Sequence, residues 1–238
     1  MALLLTERHS EHMDIDIEYY GEDIEGLILE IEESFGVEFA DDEFAHVMTF
    51  GELCDGIINK IQLNNTDDCT SQQAFYKLRN AISVALNIDK KGITPDLLLA
   101  EILPKQSRRD DVKKIETILG FKLGILSPKL WIEVTLIALF ISSFIIAFFS
   151  LLIAIIVFVL SIIVLKLAHE TGNELDVEIV GDVVKKMTRE NYLKSRRNPG
   201  TFNKNEMENI LIDRFCDYFA EGDDLITRES KIVRKVAD

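Results

Sequence analysis

Few residues in this chain could do chemistry, and they are scattered. Cys54, Cys69 and Cys216 are an odd number of thiols without metal-ligand spacing, and in a cytoplasmic protein they stay reduced. His9 and His12, with Glu7, Glu11, Asp14 and Asp16 around them, could chelate weakly, but an unstructured N-terminus is the plainer reading. Neither His46 nor His169 has a nucleophile beside it in a recognisable motif, and there is no glycine-rich phosphate loop. Asp223-Asp224 reads as a solvated pair in a turn. The expectation is a chain with no catalytic residue, no metal site and no cofactor, and therefore not an enzyme.

What remains is charge. The 238 residues carry a formal charge of -15. Residues 1–62 hold 17 acidic residues against Arg8 and Lys60, whereas 63–238 balance at 24 of each sign. Phosphate neutralisation needs Lys and Arg, so the acidic quarter excludes a nucleic-acid partner. Plain disorder is also disfavoured, because the same stretch carries regularly spaced Leu, Ile, Val and Phe.

The elements that position those acids can be read from spacing. Ile24, Leu27, Ile28, Ile31 and Phe35 recur at helical intervals, Gly36 stands at a C-terminal cap, and Glu25, Glu30, Glu32 and Glu33 fill the positions between. A short extended piece, Val37-Glu38-Phe39, leads to a single helical turn at Asp41-Asp42-Glu43-Phe44. Thr49 and Glu52 form a capping box for a helix whose apolar stripe is Leu53, Ile57 and Ile58.

The run Leu27–Phe39, followed by Thr49-Phe50-Gly51-Glu52-Leu53, resembles the second to fourth helices of acyl carrier proteins over roughly residues 14–62. That resemblance implies a small helical bundle whose acidic second helix docks on basic patches of partner enzymes. The docking residues would then be Glu22, Asp23, Glu25, Glu30, Glu32 and Glu33. Carrier proteins attach phosphopantetheine to a serine opening that helix; here Gly21 occupies the position, and no serine lies between Ser10 and Ser34. Glycine has no hydroxyl to carry a phosphodiester. The Gly-Glu-Asp form is similar to the Gly-Asp-Asp of carrier-like bacterial families, so the resemblance implies a phosphopantetheine-binding-like fold without the arm.

From Leu130 to Leu165 the only charge is Glu133, and neither Gly nor Pro interrupts. One straight helix of that length would be roughly 54 Å long, against a hydrocarbon core of about 30 Å. Two upright spans with a turn near Phe149-Ser150 fit better; one long tilted helix is the alternative. Basic residues flank both sides, Lys105, Arg108, Arg109, Lys113, Lys114, Lys122 and Lys129 before and Lys166, Lys185, Lys186, Arg189, Lys194, Arg196 and Arg197 after. They favour an even number of spans with both termini cytoplasmic, which the resemblance places at a bacterial inner membrane. Lys129 and Trp131 are the interfacial anchor, Glu133 reads as an interfacial cap, and Ser142, Ser143, Ser150 and Ser161 could hydrogen-bond between helices.

In the middle region, Thr70 opens a helix with a capping box at Gln73, Thr94-Pro95 opens a second that Pro104 ends, and Arg108–Leu119 is a third. The basic edge Lys105, Arg108, Arg109, Lys113 and Lys114 could meet anionic headgroups or the acidic unit, or be ordinary solvated charge. Beyond the membrane segment, a helix from about Gly181, a break at Asn198-Pro199-Gly200-Thr201, and a helix capped by Asn205 and closed by Gly222 are expected. That last helix and the loop Leu225–Val236 resemble carrier helix one and its loop, which would make the two chain ends halves of one permuted bundle.

The expected architecture is all-α. It comprises acidic acyl-carrier-like helices (1–62), a small helical juxtamembrane region (63–127), a transmembrane helical hairpin (130–167) and a C-terminal helical region (174–238). The expected function is a membrane-anchored, non-catalytic carrier-like protein that presents an acidic helix to a basic cytoplasmic protein or enzyme. The expected partners are that protein, the lipid bilayer and, in a homo-oligomer, other copies of the chain. The alternatives are a true acyl or phosphopantetheine carrier in membrane lipid metabolism and a structural homo-oligomeric membrane protein.

Overall fold

The computed structural model describes residues 17–40, 43–44, 46–219 and 226–235. The protein is mostly helical, with short strand pairings that the sequence reading did not anticipate. It divides into two units, one made of 1–70 with 189–238 and the other of 71–188.

The chain enters the first unit through β1 (Ile17–Tyr20) and passes directly into α1 (Gly21–Phe35). Gly36 ends α1 with φ +63°, a left-handed conformation that costs glycine nothing, and its N–H donates to the Glu32 carbonyl at 2.7 Å. The helical turn expected at 41–44 lies partly outside the described residues. Then comes α2 (Phe50–Lys60), opened by the expected capping box: Thr49 Oγ1 accepts the Glu52 N–H and Glu52 Oε2 accepts the Thr49 N–H, both at 3.3 Å. After β2 (Asn64–Asn65) the chain leaves this unit.

The second unit opens with α3 (Thr70–Leu86), then a 3₁₀ turn at Lys90–Gly92, α4 (Leu99–Ile102), α5 (Arg108–Leu119) and β3 (Leu126–Ser127). The apolar pair α6 (Leu130–Ile146) and α7 (Leu151–Thr171) follows, then β4 (Glu174–Leu175), antiparallel to β3, and α8 (Val180–Glu190). The soluble core of this unit joins Leu78, Ile82, Leu99, Val112 and Ile115 to Val180, Val183, Val184 and Met187. Residues 174–188 therefore belong with the middle of the chain, not with the C-terminal region in which the sequence reading grouped them.

Two local expectations fail here for stated reasons. Thr94–Leu98 is not helical, because its backbone is spent on the α8 entrance: Val180 N–H donates to the Leu97 carbonyl at 3.0 Å and Gly181 N–H to the Pro95 carbonyl at 2.7 Å. Thr70 is the first residue of α3 and not its cap; its hydroxyl is taken by Arg196 and Tyr192.

The chain then re-enters the first unit through α9 (Tyr192–Ser195), β5 (Thr201–Phe202), α10 (Lys204–Phe219) and β6 (Ile232–Lys235). Asn203, not Asn205, caps α10: its Oδ1 accepts the N–H groups of Asn205 and Glu206 at 3.0 and 3.2 Å. β5 runs parallel to β2, and β6 parallel to β1 with Ile17 opposite Ile232. The stretch expected to be a loop at 232–235 is thus a strand. One core takes Leu27, Ile31, Phe35, Phe50, Leu53 and Ile57 from the first 70 residues and Tyr192, Met207, Leu211 and Phe215 from the last 50. Phe50 and Phe215 meet edge to face, with ring centroids 4.8 Å apart.

Truncating a buried phenylalanine at that junction should cost about 3–5 kcal/mol. Phe215→Ala in the full chain is therefore expected to raise amide hydrogen exchange throughout α1 and α2, although both lie 155 residues or more away in sequence. Unchanged protection there would show that the two ends do not share a core.

Candidate docking face and membrane-facing helices

The six acidic docking candidates do not share one environment. Glu30 pairs with Arg214 of α10, and Glu32 Oε1 reaches past the Gly36 turn to accept the Phe39 N–H at 2.6 Å. Those two carboxylates are spent inside the first unit. Glu33 is exposed. For Gly21, Glu22, Asp23 and Glu25 the backbone is helical, and the side chains of Glu22, Asp23 and Glu25 lie outside the described residues. By position in α1, residues 22, 25, 29 and 33 fall along one face. At its centre Leu29 is 57% exposed, an apolar side chain among acids. Sequence reasoning missed Leu29 because it counted only charges.

The rest of the first unit commits its charges internally. Arg228 donates to Glu208 at 2.8 Å and Asp55 at 2.6 Å, and those two bonds raise its pKa further. The segment around it is stitched to the start of α2: Phe50 N–H donates to the Ser230 carbonyl and Gly51 N–H to that of Arg228, each at 2.9 Å. Lys60 pairs with Glu43 at 2.7 Å and lowers the pKa of that carboxyl. An acidic cavity of about 460 Å³, lined by Glu43, Glu52 and Asp55 with His46, therefore offers carboxylates that already have partners. Among the described residues no group of three or more His, Cys, Asp or Glu could hold a metal ion. The His9 and His12 pair lies outside the described residues.

The basic flanks are not uniformly solvated. Arg196, one of the flanking basic residues, is fully buried; its guanidinium donates to hydroxyls of Thr66, Thr70, Thr201 and Tyr192. Arg108 is buried as well and donates to the carbonyls of Leu103 and Asn173 at 3.0 and 2.9 Å. Lys114 bonds to Asp111, lowering the Asp111 pKa, and Lys105 bonds to Glu174, lowering that of Glu174. Of the expected basic edge Arg108 alone is buried; Lys105, Arg109, Lys113 and Lys114 are exposed.

In the apolar pair, α7 is long and apolar enough to cross a membrane, and α6 is shorter. The helices break at 147–150 without Gly or Pro, where Ser150 turns extended (φ -157°, ψ 110°). They pack on each other, Phe140 against Phe158 with ring centroids 4.9 Å apart. Their buried residues, Leu136 and Ser143 on α6 and Ala154 and Ser161 on α7, are each seven apart and mostly small, which lets the two backbones approach. The buried serines do not bond across: Ser143 and Ser161 donate back to the carbonyls of Phe140 and Phe158 in their own helices. Glu133 does have a neighbour that the sequence reading missed, His169, with Nε2 3.6 Å from Oε1. Lys129 sits at the start of α6 and Trp131 is 65% exposed.

Of the thiols, Cys54 is buried, and burial foremost pushes its pKa up to about 12, whereas Cys69 is exposed. Alkylation at pH 8 should therefore label Cys69 in the folded chain and reach Cys54 only after denaturation, read by peptide mass spectrometry. Early labelling of Cys54 would contradict the packing of α2. Searches against protein-family models, curated proteins and solved structures returned no match.

Proposed function

We propose that this chain is a membrane-anchored, non-catalytic docking protein that presents the acidic face of α1 to a basic cytoplasmic partner. The observation that carries the reading is the partition of charge. The first unit holds 29 acidic against 12 basic residues, a balance of -17, while the second holds 12 against 14. The second unit also carries the apolar helix pair, whose outward residues, from Leu130 and Val134 to Ile163 and Leu167, are exposed along both helices. On this reading α6 and α7 form a two-span hairpin with both ends of the chain in the cytoplasm. A surface of that apolarity is solvated best by a bilayer.

Docking centres on Leu29 and Glu33, with residues 22 and 25 on the same face. An exposed leucine on an acidic helix suits a basic surface with an apolar dimple, the charges steering encounter and the leucine supplying the desolvated contact. The carrier likeness belongs to this reading too: an acidic helix opened at Gly21 and closed at Gly36, without a hydroxyl for a prosthetic arm.

A photo-crosslinking residue placed at Gly26 of the full chain in cells should capture a protein with a basic surface. Capture should fall about tenfold with Leu29→Ala combined with Glu33→Lys, and between low salt and about 0.3 M. Capture that ignores both changes overturns the docking face. Incubation with a phosphopantetheinyl transferase and coenzyme A should leave the intact mass unchanged; a gain of one arm would instead make the chain a true carrier.

A further inference from the structure

At the base of the apolar pair the chain makes a tight crossing. β3 leads through Pro128 and Lys129 into α6, and α7 returns through Gly172 and Asn173 to β4. Gly172 is buried there, and a Cβ on it would come within 2.4 Å of the Ser127 carbonyl carbon, so only glycine lets the returning strand lie this close. Beside the crossing is a cavity of about 360 Å³, lined by Lys105, Lys129, Trp131, Ile132, Asn173 and Glu174 among others. That is within the usual size range of small-ligand sites.

The electrostatics of the cavity are lopsided. Glu174 takes a hydrogen bond from Lys105 at 3.1 Å and lies 4.0 Å from buried Arg108, and Lys129 also bears on it electrostatically. One carboxylate thus faces three cations. Lys129 acts on Glu174 from beyond ion-pair distance and makes no ion pair within 4.0 Å among the described residues, so its ammonium can take a close anion. Asn173 donates its Nδ2 to the Lys105 carbonyl at 2.8 Å, while its Oδ1 is buried and has no donor among the described residues. The site therefore asks for an anion that also carries a hydroxyl. Its other wall is apolar, with Ile132, Ala168 and the exposed ring of Trp131 at the point where α6 begins.

We propose that this cavity binds the headgroup of one anionic glycerophospholipid. Its phosphate sits with Lys129 and Lys105, a headgroup hydroxyl donates to Asn173 Oδ1, and its acyl chains run along Trp131 and Ile132. The proposal rests on the membrane reading above and deepens it: the hairpin base selects a lipid as well as entering the bilayer. Basic pockets at helix bases hold anionic headgroups by the same physics, and a charge-assisted contact of this kind accounts for about tenfold in affinity.

The test uses the full chain in neutral detergent, with equimolar phosphatidylglycerol and phosphatidylcholine of matched chains, and native mass spectrometry counts the lipid retained. Wild type should hold one phosphatidylglycerol with about tenfold preference. Lys129→Gln and Lys105→Gln should bring that preference close to unity, while Lys113→Gln, an exposed cation on α5, leaves it intact. Equal retention of both lipids by wild type overturns the site. So does a loss with Lys113→Gln as large as with Lys129→Gln, which would mean diffuse attraction. Displacement by excess glycerol 3-phosphate would show a soluble phosphoester ligand and overturn the lipid assignment. Co-flotation of wild type with vesicles of phosphatidylcholine alone keeps the two claims separate. A chain that fails to float refutes the anchor itself, whereas one that floats without headgroup preference refutes only the cavity.

Discussion

A guanidinium with no exposed surface stands where the chain has left the first unit and come back to it. Arg196 lies just after the return, and its donors reach Thr66, Thr70 and the Asp68 carbonyl just before the departure, with Thr201 and Tyr192 on its own side. Glu206 lies 3.9 Å away and uses both carboxylate oxygens on the Thr70 N–H. Burying a cation is costly unless every donor is met, and here hydroxyls, a carbonyl and a nearby carboxylate meet them. The network pins loop 66–70 to the α9–α10 entrance. That closes the helical core over a gap of more than a hundred residues, which loop entropy alone would leave open.

The helix pair obeys a different constraint. Between α6 and α7 no charge or hydrogen bond crosses in the apolar stretch; contact comes from small residues seven apart and a phenylalanine pair. In a bilayer, lipid tails compete with side chains on nearly equal terms, so close backbone approach is what distinguishes a neighbouring helix from solvent. The polar pairing sits at the open end, where Glu133 and His169 face each other. The break at 147–150 places Phe148 and Phe149 outward at 90% and 88% exposure, an apolar tip without a charged residue.

Much of this was legible in the chain, for a reason that also explains what was not. Features set within one turn of helix could be read: the Thr49–Glu52 box, the glycine ending α1, and the apolar run around a break near Ser150. Features set by partners far along the chain could not. Nothing local marks Ile17–Tyr20 or Ile232–Lys235 as strands, because each is a strand through the other. Pro95 looked like a helix start until the α8 entrance claimed its carbonyl. Arg196 and Arg108 looked like solvated charges among other charges, and only their burial separates them from Lys113. In the docking face, counting acids identified α1, but it could not tell Glu30 and Glu32, which are spent inside the unit, from Glu33, which is not.

That distinction changes what the surplus charge means. Acids that pair internally contribute to folding and leave little field outside, whereas the first unit keeps a balance of -17 after its ion pairs are made, since each pair removes one charge of either sign. An acidic unit of this size is repelled by anionic headgroups over roughly a Debye length, about 8 Å at physiological salt. The cations around Glu174 do the opposite at the start of α6. Under the proposed function the second unit meets the bilayer, and the surplus charge of the first is left for a basic partner.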